Sequence, residues 1–218
     1  MPESLLPTQY ILLLGASGKI GLEIRKALHA LAPGSSIICC SRSPWTGQQY
    51  PMEKWIVFDP LTDAWSFGHQ IDIVINAIGI IQESKAMTFE KAHVWITQAI
   101  LRNRAALGQP RIVQVSALGA SMAHETDFLR TKGEADALLL REANVCVLRP
   151  SIVCTPDTML SQKLRQLLKI ARFSLGKMLV PTGFAATQIQ PILGADVGFA
   201  VATAALQPHS PHLIELVG

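Results

Sequence analysis

The segment Gly15-Ala-Ser-Gly18-Lys-Ile-Gly21 constrains this chain more than any other, because of what stands on either side of it. Before it runs Tyr10-Ile-Leu-Leu-Leu14, a short apolar stretch that reads as a buried strand. After it, Ile20, Ile24, Leu28 and Leu31 recur at helical spacing over residues 19–31, and Pro33-Gly34 stops the pattern. A strand, a glycine-punctuated turn and a helix therefore open the chain.

The same alternation continues. Strands are predicted at Ser36 to Cys40, Trp55 to Phe58, Ile71 to Ile75, Arg111 to Val115 and Val145 to Leu148. Helical patterns run from about Thr88, a plausible N-cap, to Leu107 and from Asp127 to Glu142. Such alternation predicts an α/β fold, a doubly wound parallel sheet with helices on both faces, in one domain over residues 1–218. Beyond about Pro150 the pattern loosens into a small C-terminal extension, expected to hold a reduced substrate or lid region. It contains a basic amphipathic segment from Thr158 to Arg172, a helix near Ala195 to Leu206 and an edge strand at Leu213 to Val217. In the basic segment, Lys163, Arg165, Lys169 and Arg172 read as a solvated face above Leu164, Leu167, Leu168 and Ala171.

Hydrophobic residues make up 49% of the chain and charged residues only 16%, which suits a sheet buried on both faces but raises the question of a membrane. Met178 to Ala195 and Val197 to Ile214 are uncharged and reach the roughly 18 residues a spanning helix needs. The first contains Pro181 and Pro191 and the second Pro208 and Pro211, so neither is expected to be a continuous apolar helix. Met1-Pro-Glu-Ser-Leu-Leu-Pro7 has no basic region leading into an apolar run, so no signal peptide is expected. A net charge of +3 is too small and scattered to point to nucleic acid. The four cysteines show no metal spacing. Cys39 and Cys40 would point to opposite faces of a strand, and all four read as buried free thiols in a reducing cytoplasm.

The glycine spacing has a chemical reading. Pyrophosphate is held by backbone N–H groups at a helix N-terminus, where a side chain would block its approach. Gly15 would make the tight turn, Gly18 the close contact and Gly21 the helix–strand packing, with Ser17, Lys19 and Ile20 completing the candidate loop. The second strand ends in Cys40-Ser41-Arg42-Ser43, with hydroxyls and a guanidinium where a carboxylate would select an unphosphorylated ribose. Arg42 could pair with a 2′-phosphate or be a solvated surface arginine. NADP(H) is therefore favoured over NAD(H).

Further motifs follow in order: Asn76-Ala-Ile-Gly79, Val115-Ser-Ala-Leu-Gly-Ala120, Thr131-Lys-Gly-Glu134 and Leu148-Arg-Pro-Ser151. With the glycine loop, they resemble the short-chain dehydrogenases/reductases, Rossmann-fold proteins. The resemblance is to the atypical, extended-type branch that includes the dinucleotide-binding accessory subunit of respiratory complex I. It runs from residue 15 to about 197 and is specific through Pro150. It implies that Asp59 binds the adenine edge and that Asn76, Ala77, Ile78 and Gly79 flank the adenosine ribose. It matches Ser116 to the catalytic serine and Lys132 to the lysine that holds the nicotinamide ribose. Pro150, Ser151, Ile152 and Val153 match the segment beside the nicotinamide amide, and Gln190-Pro191 and Asp196-Val197 a late motif of extended members.

One position departs from the pattern. The family's dyad is Tyr-x-x-x-Lys, and four residues before Lys132 stands Phe128, which has no ionisable proton. The two tyrosines, Tyr10 and Tyr50, lie in and just after the first two strands and cannot replace it by a register slip. Bland roles stay open beside the functional ones: Ser116 as a strand-end cap, Lys132 as a solvated helix lysine, His124 as a surface-loop residue and His93 as a partly packed one. Two functions fit these residues. One is an NADPH-dependent reductase of a small, fairly apolar substrate. The other is a non-catalytic dinucleotide-binding protein acting as redox sensor, scaffold or assembly factor beside a protein partner.

Overall fold

The computed structural model describes residues 9–155, 190–207 and 209–218. In chain order these form β1 (Tyr10–Leu14), α1 (Lys19–Leu31), β2 (Ser36–Ser41), β3 (Glu53–Val57) and β4 (Ile73–Asn76). A π-helical turn, Lys91–Trp95, runs into α2 (Ile96–Asn103). Next come β5 (Arg111–Val115), α3 (Asp127–Leu139), β6 (Val145–Pro150), β7 (Val153–Cys154), β8 (Ile192–Leu193), α4 (Gly194–Leu206) and β9 (Leu213–Leu216). Seven strands make one parallel sheet in the order β3-β2-β1-β4-β5-β6-β9. The chain leaves β1 for β2 on one side and returns to β4 on the other, so a crevice opens beyond the carboxyl ends of β1 and β4. β7 and β8 form a separate parallel pair.

Alternation along β1 explains the two layers. Ile11 and Leu13 face one side with Ile24, Leu28, Val197 and Val201, while Leu12 and Leu14 face the other with Ile96, Ile100 and Leu139. The first layer is closed by α1 against α4, which approach closely because Gly198 faces Glu23: a Cβ there would lie 2.5 Å from the Glu23 carbonyl carbon. Cys39 and Cys40 enter opposite layers as expected, and burial pushes both thiols well above their ordinary value, Cys39 to about 12.

The departures from expectation are local. Leu31 is 39% exposed rather than part of the α1 stripe, because the helix ends there. Its buried face instead takes in Arg25, 1% exposed. Strand β3 starts at Glu53 and ends before Phe58, whose N–H still donates to Ser41 O at 2.9 Å. Strand β4 starts at Ile73, since the Ile71 N–H donates instead to Leu107 O. The pattern from Thr88 does begin with that residue as a cap, its Oγ1 accepting the Lys91 N–H at 3.2 Å, but α2 stops at Asn103. Helix α3 stops at Leu139, three residues short of Glu142. The basic segment from Thr158 to Arg172 lies outside the described residues. Among those described, no helix is long and apolar enough to cross a membrane, and no group of residues could hold a metal ion.

Candidate functional site

The crevice is built first from absent side chains. Gly15 has φ +80°, and a Cβ on it would lie 3.0 Å from the backbone of Ala77 and Ile78. A Cβ on Gly21 would lie 2.2 Å from the Gly15 carbonyl oxygen, so α1 can leave β1 at this angle only with glycine there. Gly18 caps α1 without a side-chain hydrogen bond, and no acidic residue stands in the first turn. The helix therefore presents its positive end to the cleft with no protein carboxylate in place. This cradle fits a diphosphate.

Around it the cleft is lined by Gly15, Ser17, Gly18, Ser41, Arg42, Asp59, Ala77, Ile78 and Gly79 among the residues singled out from sequence. Ser41 donates through Oγ to Ser43 O at 2.7 Å, shaping the turn that carries the exposed Arg42. One Asp59 carboxylate oxygen accepts the Leu61 N–H at 2.9 Å. Phe58, Pro60, Ile80, Met87 and Ile96 add an apolar wall that sequence reading missed. They come from four separate stretches of chain: Phe58 and Pro60 follow β3 directly, Ile80 and Met87 lie in the loop after β4, and Ile96 opens α2.

Other candidates stand behind the wall or away from it. Lys19, Ile20 and Gly21 belong to the first turns of α1 and do not line the cleft. Asn76 is fully buried. Its amide donates to Gln114 Oε1 at 2.8 Å and its carbonyl accepts the Ile78 N–H at 3.1 Å, so it positions the 77–79 backbone from below. Pro150 is buried and Ile152 is 48% exposed. Ser151 N–H donates to Leu216 O at 2.8 Å and its Oγ to Gln190 O, tying the 150–153 segment to β9 and to the start of β8. Gln190, Pro191 and Asp196 are exposed, while Val197 is core.

Beyond Gly79 lies a polar cluster inside the protein. Ser116 is buried, and its Oγ donates to Asp136 Oδ2 at 2.8 Å. The same carboxylate oxygen accepts Arg149 Nε at 2.8 Å. Burial pushes the Asp136 carboxyl up, against the opposing pull of Ser116, Arg149 and Lys132. Lys132 is buried rather than solvated and donates through Nζ to Val115 O at 3.0 Å. A Cβ on Gly79 would lie 3.3 Å from that Nζ, so the ammonium sits directly behind the floor of the cleft. Burial pushes it down to about 8, partly offset by Asp136. Asp136 and Arg149 carry this cluster, and only the Asp four residues after Lys132 on a helix hinted at it.

Phe128 packs edge-on against Phe89 and His93, with ring centroids 5.6 Å apart in both pairs. His93 is not partly packed but wholly buried, in the π-helical turn. The Thr131 hydroxyl donates to Asp127 O at 2.7 Å, so its oxygen accepts from His93 Nδ1 at 2.9 Å. The proton thus assigned to Nδ1 leaves Nε2 as a lone pair, without a hydrogen-bond partner among the described residues. Burial and the nearby Lys132 charge push this imidazole down to about 3, so it is neutral at physiological pH. His124 sits apart, its Nδ1 accepting the Thr126 N–H at 3.0 Å.

A seven-stranded parallel sheet with a glycine cradle at its switch point defines the class: a doubly wound α/β protein of Rossmann type. No family model matches the chain. It is 30% identical over 162 residues to the mitochondrial NADH dehydrogenase [ubiquinone] 1 alpha subcomplex subunit 9 of Arabidopsis thaliana, covering 72% of this chain and 38% of that protein. To the Mus musculus protein of the same name it is 31% identical over 139 residues, covering 63% of this chain and 35% of that one. The chain thus spans little more than a third of the length of these relatives. In structure it is similar to dTDP-glucose 4,6-dehydratase from Bacillus anthracis, solved in complex with NAD, with a TM-score of 0.72, 16% identity and coverage of 97% of this chain and 76% of that one. In motif order and in these similarities the chain resembles the atypical, extended-type short-chain dehydrogenases/reductases.

Proposed function

We propose that this protein binds a nicotinamide dinucleotide, NADP(H) in preference to NAD(H), as a ligand that stabilises it and reports redox state, and that it does not reduce carbonyl substrates. The observation that carries this reading is a complete phosphate cradle beside a centre whose acid/base position, Phe128, is filled by aromatic packing. Gly15, Gly18 and the start of α1 would hold the diphosphate, Arg42 a 2′-phosphate, Asp59 the adenine edge, and Ala77 to Gly79 the adenosine ribose. Such a cofactor supplies a hydride donor or acceptor when bound. On the protein side, the Ser116 hydroxyl is engaged by Asp136, and Nε2 of His93 has a lone pair and no proton to give. Similarity to a respiratory-complex subunit extends the reading to a protein partner that senses the bound state.

A reductase remains the second reading, favoured by Lys132, whose ammonium at about 8 can still release a proton near neutrality. Titration calorimetry with NADPH and NADH tests the binding, and NADPH absorbance followed across aldehydes, ketones and quinones tests turnover. The expected result is binding without turnover. Substrate-dependent oxidation of NADPH by the native protein would overturn the non-catalytic reading, and absence of heat with either nucleotide would overturn both.

A further inference from the structure

Among the described residues Arg25 is the largest side chain that is fully buried, and nothing in the dinucleotide reading uses it. It lies on α1, 1% exposed. Its Nε and one terminal nitrogen meet Glu53 of β3 in a bidentate pair, both bonds 2.7 Å, and that terminal nitrogen also donates to Gln48 O at 2.7 Å. Its guanidinium carbon lies 4.7 Å from the ring centroid of Trp55, 5.3 Å from Tyr50 and 5.4 Å from Trp45. Three of these partners, Trp45, Gln48 and Tyr50, belong to the loop between β2 and β3. That loop begins with Arg42, at the mouth of the cleft.

The far end of the loop is therefore wrapped around one guanidinium. Trp45 stacks on Trp55 at 4.6 Å with an interplanar angle of 8°, and its indole N–H donates to Gln48 O at 3.0 Å. Gly47 passes so close beneath the Trp45 ring that a Cβ would lie 2.3 Å from it. The near end is held by the Ser41–Ser43 hydrogen bond. Arg42 lies between two anchors. A buried ion pair is a poor source of net stability, since apolar residues of equal volume usually do as well. What a bidentate, stacked arginine provides is a fixed geometry.

We infer that Arg25 and its aromatic box are a selectivity device, positioning the β2–β3 loop so that Arg42 is presented to the 2′-phosphate of the cofactor. The inference rests on the dinucleotide reading and adds to it the source of the preference. The reasoning is energetic. Arg42 gains from a 2′-phosphate only if the loop is ordered before binding, because ordering it afterwards would consume the gain. A nucleotide without that phosphate takes nothing from Arg42 and is indifferent to the order of the loop. Loosening the box therefore weakens NADPH and leaves NADH alone, an asymmetry that general damage to the fold does not produce.

Trp45 is the position to test, because it is partly exposed and its removal leaves the Arg25–Glu53 pair intact. The full chain, Trp45→Ala and Trp45→Phe are titrated with NADPH and NADH, and Trp45→Ala is repeated in an Arg42→Ala background. Trp45→Ala is expected to weaken NADPH about tenfold, with NADH changed by less than about twofold. Trp45→Phe, which keeps a ring in the box, restores the preference. In the Arg42→Ala background Trp45→Ala has no further effect. Equal weakening of both nucleotides, or of neither, overturns the inference. A native protein that binds both with the same affinity also overturns it while leaving dinucleotide binding in place, whereas a native protein that binds neither removes the underlying reading itself.

Discussion

Ser116 and Asp136 are joined by a buried 2.8 Å hydrogen bond in which the hydroxyl is the donor. The serine that sequence places at a reaction centre therefore points its proton into the protein, toward a carboxylate that also holds Arg149. Ser116→Ala is expected to lower stability by about 1–3 kcal/mol, the cost of taking a hydrogen-bond partner from a buried carboxyl group, with dinucleotide affinity unchanged within about twofold. Urea unfolding and calorimetric titration of the same variant check the two halves. A strong loss of affinity without loss of stability would place the hydroxyl in the cleft.

Gly21 faces the Gly15 carbonyl oxygen at a distance that leaves no space for a methyl group. Gly21→Ala must push α1 away from β1, and backbone displacement on this scale costs about 1–3 kcal/mol. Thermal unfolding should show that loss, and nucleotide binding should fall at least tenfold because the helix end no longer meets the diphosphate. Wild-type affinity in Gly21→Ala would argue against the cradle.

Arg42 stands exposed at the cleft with no carboxylate beside it in the turn from Ser41 to Ser43. Arg42→Ala is expected to lower NADPH affinity by roughly tenfold or more and to leave NADH affinity unchanged, because a guanidinium–phosphate pair is a charge-assisted interaction of about 1.5–3 kcal/mol. The native preference should also shrink as salt is raised, since the pair is exposed. Identical NADPH binding by native and Arg42→Ala proteins would assign this arginine to solvent.

His93 makes stability depend on acid. Its folded value near 3 lies below the ordinary value of 6.5, so between those pH values the unfolded chain binds a proton that the folded chain does not. Stability is therefore fully present above about pH 6.5 and is lost as pH falls toward 3, by a few kcal/mol in all. Replacing His93 with Gln removes the titrating group. Its melting temperature should fall less steeply between pH 6.5 and 4 than that of the native protein. Parallel pH profiles for the two proteins would show that the imidazole titrates freely.

The order of strands and helices, the cradle glycines and the absence of a tyrosine before Lys132 were all readable along the chain, because each is a local property. Apolar alternation reports burial of a strand, and a three-glycine spacing reports a turn that excludes Cβ atoms. Element ends were less legible. Leu31 and Phe58 carry the right hydrophobicity for the elements they were assigned to, but hydrogen bonds formed with distant strands decide where an element stops.

What the amino-acid sequence determined by itself was a doubly wound sheet with a phosphate-sized gap at its first turn and no phenolic acid beside its lysine. Tertiary structure decided which polar groups face that gap and which face inward. Ser116 and Lys132 read as candidate chemistry in one dimension and are buried partners of Asp136 and Val115 in three, while His93, read as partly packed, is wholly buried against Thr131. Arg25 gave no signal at all, since one arginine on an amphipathic helix normally points to water. Its burial follows only when Trp45, Tyr50, Glu53 and Trp55 arrive from another part of the chain to replace the solvent it gives up.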